Sequence, residues 1–233
     1  MTAVSQRQPL LRVSAITWET IFSTVAAALI ANVCLALAAS PLLVLLITTD
    51  PRASWLALAL AAVAAVPALP ALFGVFRHLG TGRVGGVLGV FWSGWWRTMR
   101  RSLAIGSALV GMAVVVAVDL VVLGTTRWAV VLSGFLLVVL ALATATAVLA
   151  LVASVERPDA RLRDVLRASL YLAVRRWYLS LFTLVVAALQ AALFTLHPAI
   201  AVGLTAAPLL YALWGNSRFT LGPILPPGSR ITT

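Results

Sequence analysis

The stretch 129–155 reads AVVLSGFLLVVLALATATAVLALVASV and contains no ionisable side chain. Its reading decides the fold. At about 1.5 Å rise per residue, a helix of that length covers roughly 40 Å, more than the ~30 Å hydrocarbon core of a bilayer. A helix satisfies all of its backbone donors and acceptors internally, which hydrocarbon demands. A helix apolar on every side belongs inside a large core or a membrane. Working outward, the same kind of run recurs on both sides. Crossings are expected at about 21–48, 55–76, 103–123, 129–155, 178–196 and 199–214, with an N-terminal tail over 1–17 and a C-terminal tail over 215–233. The expected fold is therefore all-α: a polytopic integral membrane protein of about six transmembrane helices, forming a single membrane domain over 1–233.

Composition points the same way. The 233 residues are 62% hydrophobic and only 10% charged, with a mean hydropathy of +1.07. Soluble domains carry about 25% charged residues, so this chain lacks the polar side chains to cover a water-facing surface. The uncharged run from Thr20 to Thr49 is far longer than the ~7–15-residue core of a signal peptide, so a retained first helix is expected. The last pair of crossings is the weakest. Only His197 and Pro198 separate them, and Pro208 lies inside the final one. A helical hairpin and a re-entrant segment both fit.

All 17 basic residues are arginine, and the net charge is +11. Such a charge can signal nucleic acid, but these arginines stand at the ends of apolar runs. That placement suits topology and anionic lipid headgroups, and argues against a nucleic-acid partner. With six crossings and the N-terminus inside, fifteen arginines fall on inner segments and only Arg52 and Arg127 outside. The positive-inside rule thus predicts N-in and C-in in a cell membrane.

Two inner stretches carry their own periodicity. In 84–99, the apolar Val84, Val87, Leu88, Phe91, Trp92, Trp95 and Met99 recur at helical spacing, opposite Ser93, Arg97 and Arg100. In 162–177, Leu162, Val165, Leu166, Leu170, Ala173, Val174 and Trp177 do the same, opposite Arg163, Asp164 and Arg167. Each reads as an amphipathic helix on the inner face, or as the inner end of the next crossing. Either way Trp92, Trp95, Arg97, Arg163, Arg167 and Trp177 become candidates for docking a partner.

The stretch 67–77, PALPALFGVFR, places Pro67, Ala68, Ala71, Leu72, Phe73 and Arg77 in the pattern Pro-Ala-x-x-Ala-Leu-Phe followed by a basic residue at the membrane exit. This resembles the second helix of the YesL-like family, small bacterial polytopic membrane proteins of unknown function. Asn32 and Pro41 match that family's first-helix Asn and its distal Pro. The aromatic and basic segment 91–97 and the basic stretch 162–177 match its inner loops, while Pro70 stands where the family tends to have a small residue. The resemblance implies a bacterial cytoplasmic membrane. It further implies an accessory role beside a binding-protein-dependent carbohydrate uptake system of the ABC type.

Few residues carry chemistry. Asp119 is the one ionisable residue well inside a crossing, about 6 Å from its outer end by helical rise. Pairing with Arg127 and an ion-handling role are both open to it. Asn32 and Gln190 sit within crossings, suited to interhelical hydrogen bonds, with each other among the options. Pro67 and Pro70 free backbone carbonyls, which shapes packing or makes a mid-membrane site. His78 and His197 are expected on opposite faces, and Cys34 is the sole cysteine, so no metal site or disulfide is expected. No nucleotide loop, importer-permease signature or catalytic constellation is present, and no cofactor is expected. The first functional expectation is a non-enzymatic accessory or regulatory membrane protein. The alternative is a small transporter or substrate-binding membrane subunit. A lipid-modifying enzyme is disfavoured by the lack of an inner-face acidic or histidine cluster.

Overall fold

The computed structural model describes residues 22, 25–81, 85–123, 129–196 and 200–223. Among the described residues the regular elements are all helical. In chain order they are α1 (Val25–Ala38), then α2 (Ser40–Thr48), α3 (Trp55–Ala65), α4 (Ala68–Leu79), α5 (Val87–Leu123), α6 (Ala129–Glu156), α7 (Leu162–Arg175) and α8 (Trp177–Leu196). A five-residue π-helical turn, Ala201–Thr205, then leads into α9 (Ala206–Leu221). The chain is a polytopic all-α membrane protein.

Prolines explain the first two breaks. The run expected as one crossing over 21–48 is interrupted at Ala39 (φ −93°, ψ 4°), with Pro41 in the first turn of α2. A proline has no N–H to donate and its ring collides with the carbonyl four residues back. The two halves bend by 66°. The second expected crossing, 55–76, is split by Val66 and Pro67, but α3 and α4 together form one 25-residue span, Trp55–Leu79. Across the break Leu69 donates to the Val66 carbonyl at 3.0 Å and Ala71 to the Pro67 carbonyl at 3.3 Å.

The two amphipathic stretches part company. The first is no separate helix: residues from Val87 onward are the opening turns of α5, which runs unbroken for 37 residues. Gly89 and Gly94 do not interrupt it. The break falls earlier, at Gly86, whose φ of 78° favours glycine. A helix of that length covers about 55 Å, against ~30 Å of hydrocarbon. The 22 residues from Ser102 to Leu123 span about 33 Å alone, so α5 is longer than a crossing needs, and Arg97, Arg100 and Arg101 stand just before its long apolar part. The second stretch is a helix of its own, α7, closed at Arg176 (φ −112°, ψ 50°). Ser180 Oγ donates back across that break to the Ala173 carbonyl at 2.9 Å.

Among the described residues four helices are long and apolar enough to cross a membrane, α3–α4 counted as one together with α5, α6 and α8; the bent α1–α2 pair makes a fifth if it is one span. The sixth expected crossing, 199–214, does not join them. Its described part opens at Ile200, directly before the π turn, and α9 continues to Leu221, seven residues past the expected end. Polar residues that read as tail are instead taken up by neighbours. Asn216 Nδ2 donates to the Leu179 carbonyl and to Thr183 Oγ1, each at 2.9 Å. Thr220 Oγ1 donates to the Asn216 carbonyl at 2.9 Å.

The bundle is tight at its arginine-rich end and open at the other. Helix α4 is apolar nearly all round, and Ala68, Ala71, Leu72, Phe73, Val75 and Phe76 are all buried. Helix α6 buries only its second half, where small residues (Ala145, Ala147, Ala150, Ala153, Ser154) let neighbours approach. Its first half, with Val130 83% exposed and Phe135 64%, faces what must be lipid in a chain this apolar. At the open end, Leu46, Trp55, Leu58, Val114, Val118 and Phe194 line an apolar cleft of about 760 Å³ between α2, α3, α5 and α8.

Candidate functional site

The chemistry of the described residues gathers at the arginine-rich end. Helices α4, α5 and α6 meet there around a pocket of about 220 Å³. Spacing within α5 builds one wall: Ser93, Arg97 and Arg101 follow one another at four-residue intervals and so share a face. Thr98 adds its hydroxyl, buried and donating to the Gly94 carbonyl at 2.9 Å. The last turn of α6 contributes Ser154, whose hydroxyl donates to the Ala150 carbonyl at 2.7 Å. Arg77, from the final turn of α4, completes the lining. Its guanidinium donates at 2.6 Å to the Val155 carbonyl, one of the acceptors that the end of α6 leaves free.

Nearby polar groups tie the helix ends together. Arg218 Nε lies 3.3 Å from Glu156 Oε1, an ion pair in which the N–H is not aimed at that oxygen, and both side chains are largely buried. The Arg218 guanidinium also stacks over Trp214 at 4.9 Å. Arg176 donates to the Phe219 carbonyl at 3.0 Å, pinning the start of α8 to the end of α9.

The expected candidates distribute as follows. Pro67, Ala68, Ala71, Leu72 and Phe73 form the packing centre of the bundle, and Arg77 both caps α6 and lines the pocket. Trp92 and Trp95 stand in an aromatic row on α5, with successive ring centroids of Phe91, Trp92, Trp95 and Trp96 at 5.5, 5.7 and 4.8 Å. Arg97 lines the pocket and is itself exposed, and Arg163, Arg167 and Trp177 are exposed on α7 and at the start of α8. The structure thus does not merge the two sets into one patch: α5 packs on α4 and α6, and α7 chiefly on α6.

Asn32 and Gln190 do not bond each other. Asn32, buried in α1, donates to the Gly203 carbonyl at 2.9 Å, and Gln190, in α8, donates to the Ala201 carbonyl at 3.1 Å. Both amides therefore clasp the π turn, whose carbonyls are off the regular ladder. Asp119 is half-buried near the open end of α5 and makes no ion pair among the described residues; its expected partner Arg127 lies outside them, as do His197 and Pro198. Among the described residues no group of three or more His, Cys, Asp or Glu stands close enough to hold a metal.

Arg101 was missed by sequence reasoning, which placed Arg100 on the polar face instead. The four-residue step from Arg97 was the available signal. Ser154 and the Glu156–Arg218 pair left no such signal, because only tertiary packing brings them in.

The fold and these contacts define an all-α polytopic membrane protein with a basic, tightly packed end. No family model matches the chain, and neither a curated protein nor a solved structure matches it.

Proposed function

We propose that this chain is a non-enzymatic accessory or regulatory protein of a bacterial cytoplasmic membrane. It docks a partner on its arginine-rich end, which faces the cytoplasm together with both termini, and the 199–214 segment completes six crossings. The proposed partner is a carbohydrate uptake complex of the ABC type, and the proposed kinship is with the YesL-like family, on the pattern of Pro67, Ala68, Ala71, Leu72, Phe73 and Arg77.

The observation that carries the docking is α7. This helix buries Val165, Ser169, Leu172 and Ala173 against the bundle. Its other side leaves Arg163 and Arg167 exposed, and keeps Leu170, Tyr171 and Val174 uncovered, with Trp177 beyond its end. Exposed aromatic and basic side chains in one place are what protein interfaces favour. Asn32 and Gln190 each donate an amide N–H to the π turn, while Asn32 Oδ1 and Gln190 Oε1 stay buried without a partner among the described residues.

Pull-down of the tagged chain from native membranes tests this reading. Subunits of an uptake complex should co-purify, and Arg163→Gln/Arg167→Gln should lose them. A partner-free chain from native membranes refutes the docking. A C-terminal reporter that reads outside refutes the even count.

A further inference from the structure

We infer that the pocket between α4, α5 and α6 is a binding site for a phosphate-class anion, gripped by the guanidiniums of Arg77, Arg97 and Arg101. Three cations line one pocket of about 220 Å³, and none of the residues lining it is acidic. That volume is far above the ~10–15 Å³ that one water needs on the same measure. Like charges brought together repel; Arg77 and Arg97 are exposed, so water screens part of this, and a bound counter-charge relieves the rest. The carboxylate that α6 offers nearby, Glu156, is engaged by Arg218. Among the described residues the Arg97 and Arg101 side chains make no hydrogen bond or ion pair, and the Arg77 guanidinium uses one N–H on the Val155 carbonyl and keeps the rest.

The donor set selects the ligand. Guanidinium forks match the edges of a tetrahedral oxyanion, and three of them suit an anion with several charged oxygens better than a lone carboxylate. The pocket hydroxyls are weaker candidates, because Ser93, Thr98 and Ser154 each donate to a carbonyl of their own helix. The site lies just before the long apolar part of α5. A lipid phosphodiester and a soluble phosphate therefore share the same chemistry and both have access. The inference stands apart from the docking role of α7: none of the residues invoked belongs to that helix.

The full chain is reconstituted in phosphatidylcholine nanodiscs for two arms. One titrates inorganic phosphate and reads the thermal midpoint; the other adds phosphatidylglycerol and reads lipid retained by native mass spectrometry. Binding in the first arm alone identifies a soluble anion, and in the second a lipid headgroup. Arg97→Gln and Arg101→Gln should each weaken the response about tenfold, in keeping with a charged hydrogen bond at a half-exposed site. Arg100→Gln, one residue away and outside the pocket, should leave it unchanged. Gly74→Leu supplies the second line of evidence. Gly74 lines the pocket and a Cβ there meets nothing within 4 Å. This variant should fold, keep every charge and still bind at least tenfold more weakly. Binding in neither arm overturns the site. Equal loss in Arg100→Gln, or full binding by Gly74→Leu, does so too.

Discussion

Gly106→Ala should destabilise the bundle even though alanine is the better helix former. Gly106 is buried in α5 and faces Val66, the residue at the break between α3 and α4. A Cβ built on Gly106 comes within 2.7 Å of Val66 Cγ2, 3.0 Å of its Cβ and 3.2 Å of its Cγ1. Carbon atoms settle at about 3.5–4.0 Å, so one pair of atoms must separate by roughly 1 Å. Rotating the valine does not help, because its own Cβ is already too close and its χ1 is stiff. Overpacking of this kind costs about 1–3 kcal/mol, which outweighs the ~1 kcal/mol gained from helix propensity. For a chain of this size that is a fall of several degrees in the thermal midpoint. Cys34 supplies the assay: it is the only cysteine and has no exposed surface, so a thiol-reactive dye reports unfolding directly. In the same helix, Gly111→Ala meets open space and should be neutral or mildly stabilising. Combining Gly106→Ala with Val66→Ala should recover at least ~1 kcal/mol relative to additivity. A Gly106→Ala protein that melts no lower than wild type refutes the close approach, as does strict additivity in the double variant.

The remaining predictions use the same dye. Asn32→Leu and Gln190→Leu should each lower stability by about 0.6–2 kcal/mol, the range of interhelical hydrogen bonds in membranes, and a null effect in both would deny that the amides hold the π turn. Asn216→Leu removes two bonds from α9 to α8 and should cost about 1–3 kcal/mol, read as a lower midpoint together with faster proteolysis after α8. Arg163→Gln/Arg167→Gln should change the stability by less than ~0.5 kcal/mol, as exposed substitutions do; a large loss would mean these arginines support the fold.

Much of the fold was legible because hydrocarbon is a strict solvent. Runs such as 129–155 and 178–196 can be little else than spanning helices, and the structure makes them α6 and α8. Breaks fall beside Pro41 and Pro67, while Pro70, read together with Pro67, lies inside the first turn of α4 and breaks nothing. The spacing in 162–177 forecast α7 because a surface helix keeps one apolar side. The same reasoning failed to separate 84–99 from the crossing after it, since amphipathicity describes a face and says nothing about where a helix stops. The end of α9 was misread for a related cause: Asn216 and Arg218 look like tail until Thr183 and Glu156 are known to be waiting for them. The pocket was half legible. Ser93 and Arg97 share a sequence rhythm with Arg101, but Arg77 and Ser154 come from helices that only packing brings beside α5.

The π turn at Ala201–Thr205 also sets a constraint on length. Such a turn is an α-helix carrying one surplus residue. Each residue advances an α-helix by about 100°, and the wide turn absorbs the surplus so that α9 keeps the side it turns to α8. Delete that residue and the turn closes to a plain α-helix, with Asn216 still facing Leu179 and Thr183. A homologue with a plain α-helix at this point should therefore be one residue shorter, keep the amide at the place of Asn216, and lose the clasp from Asn32 and Gln190. A single-residue gap aligned at 201–205 would be the mark of that exchange.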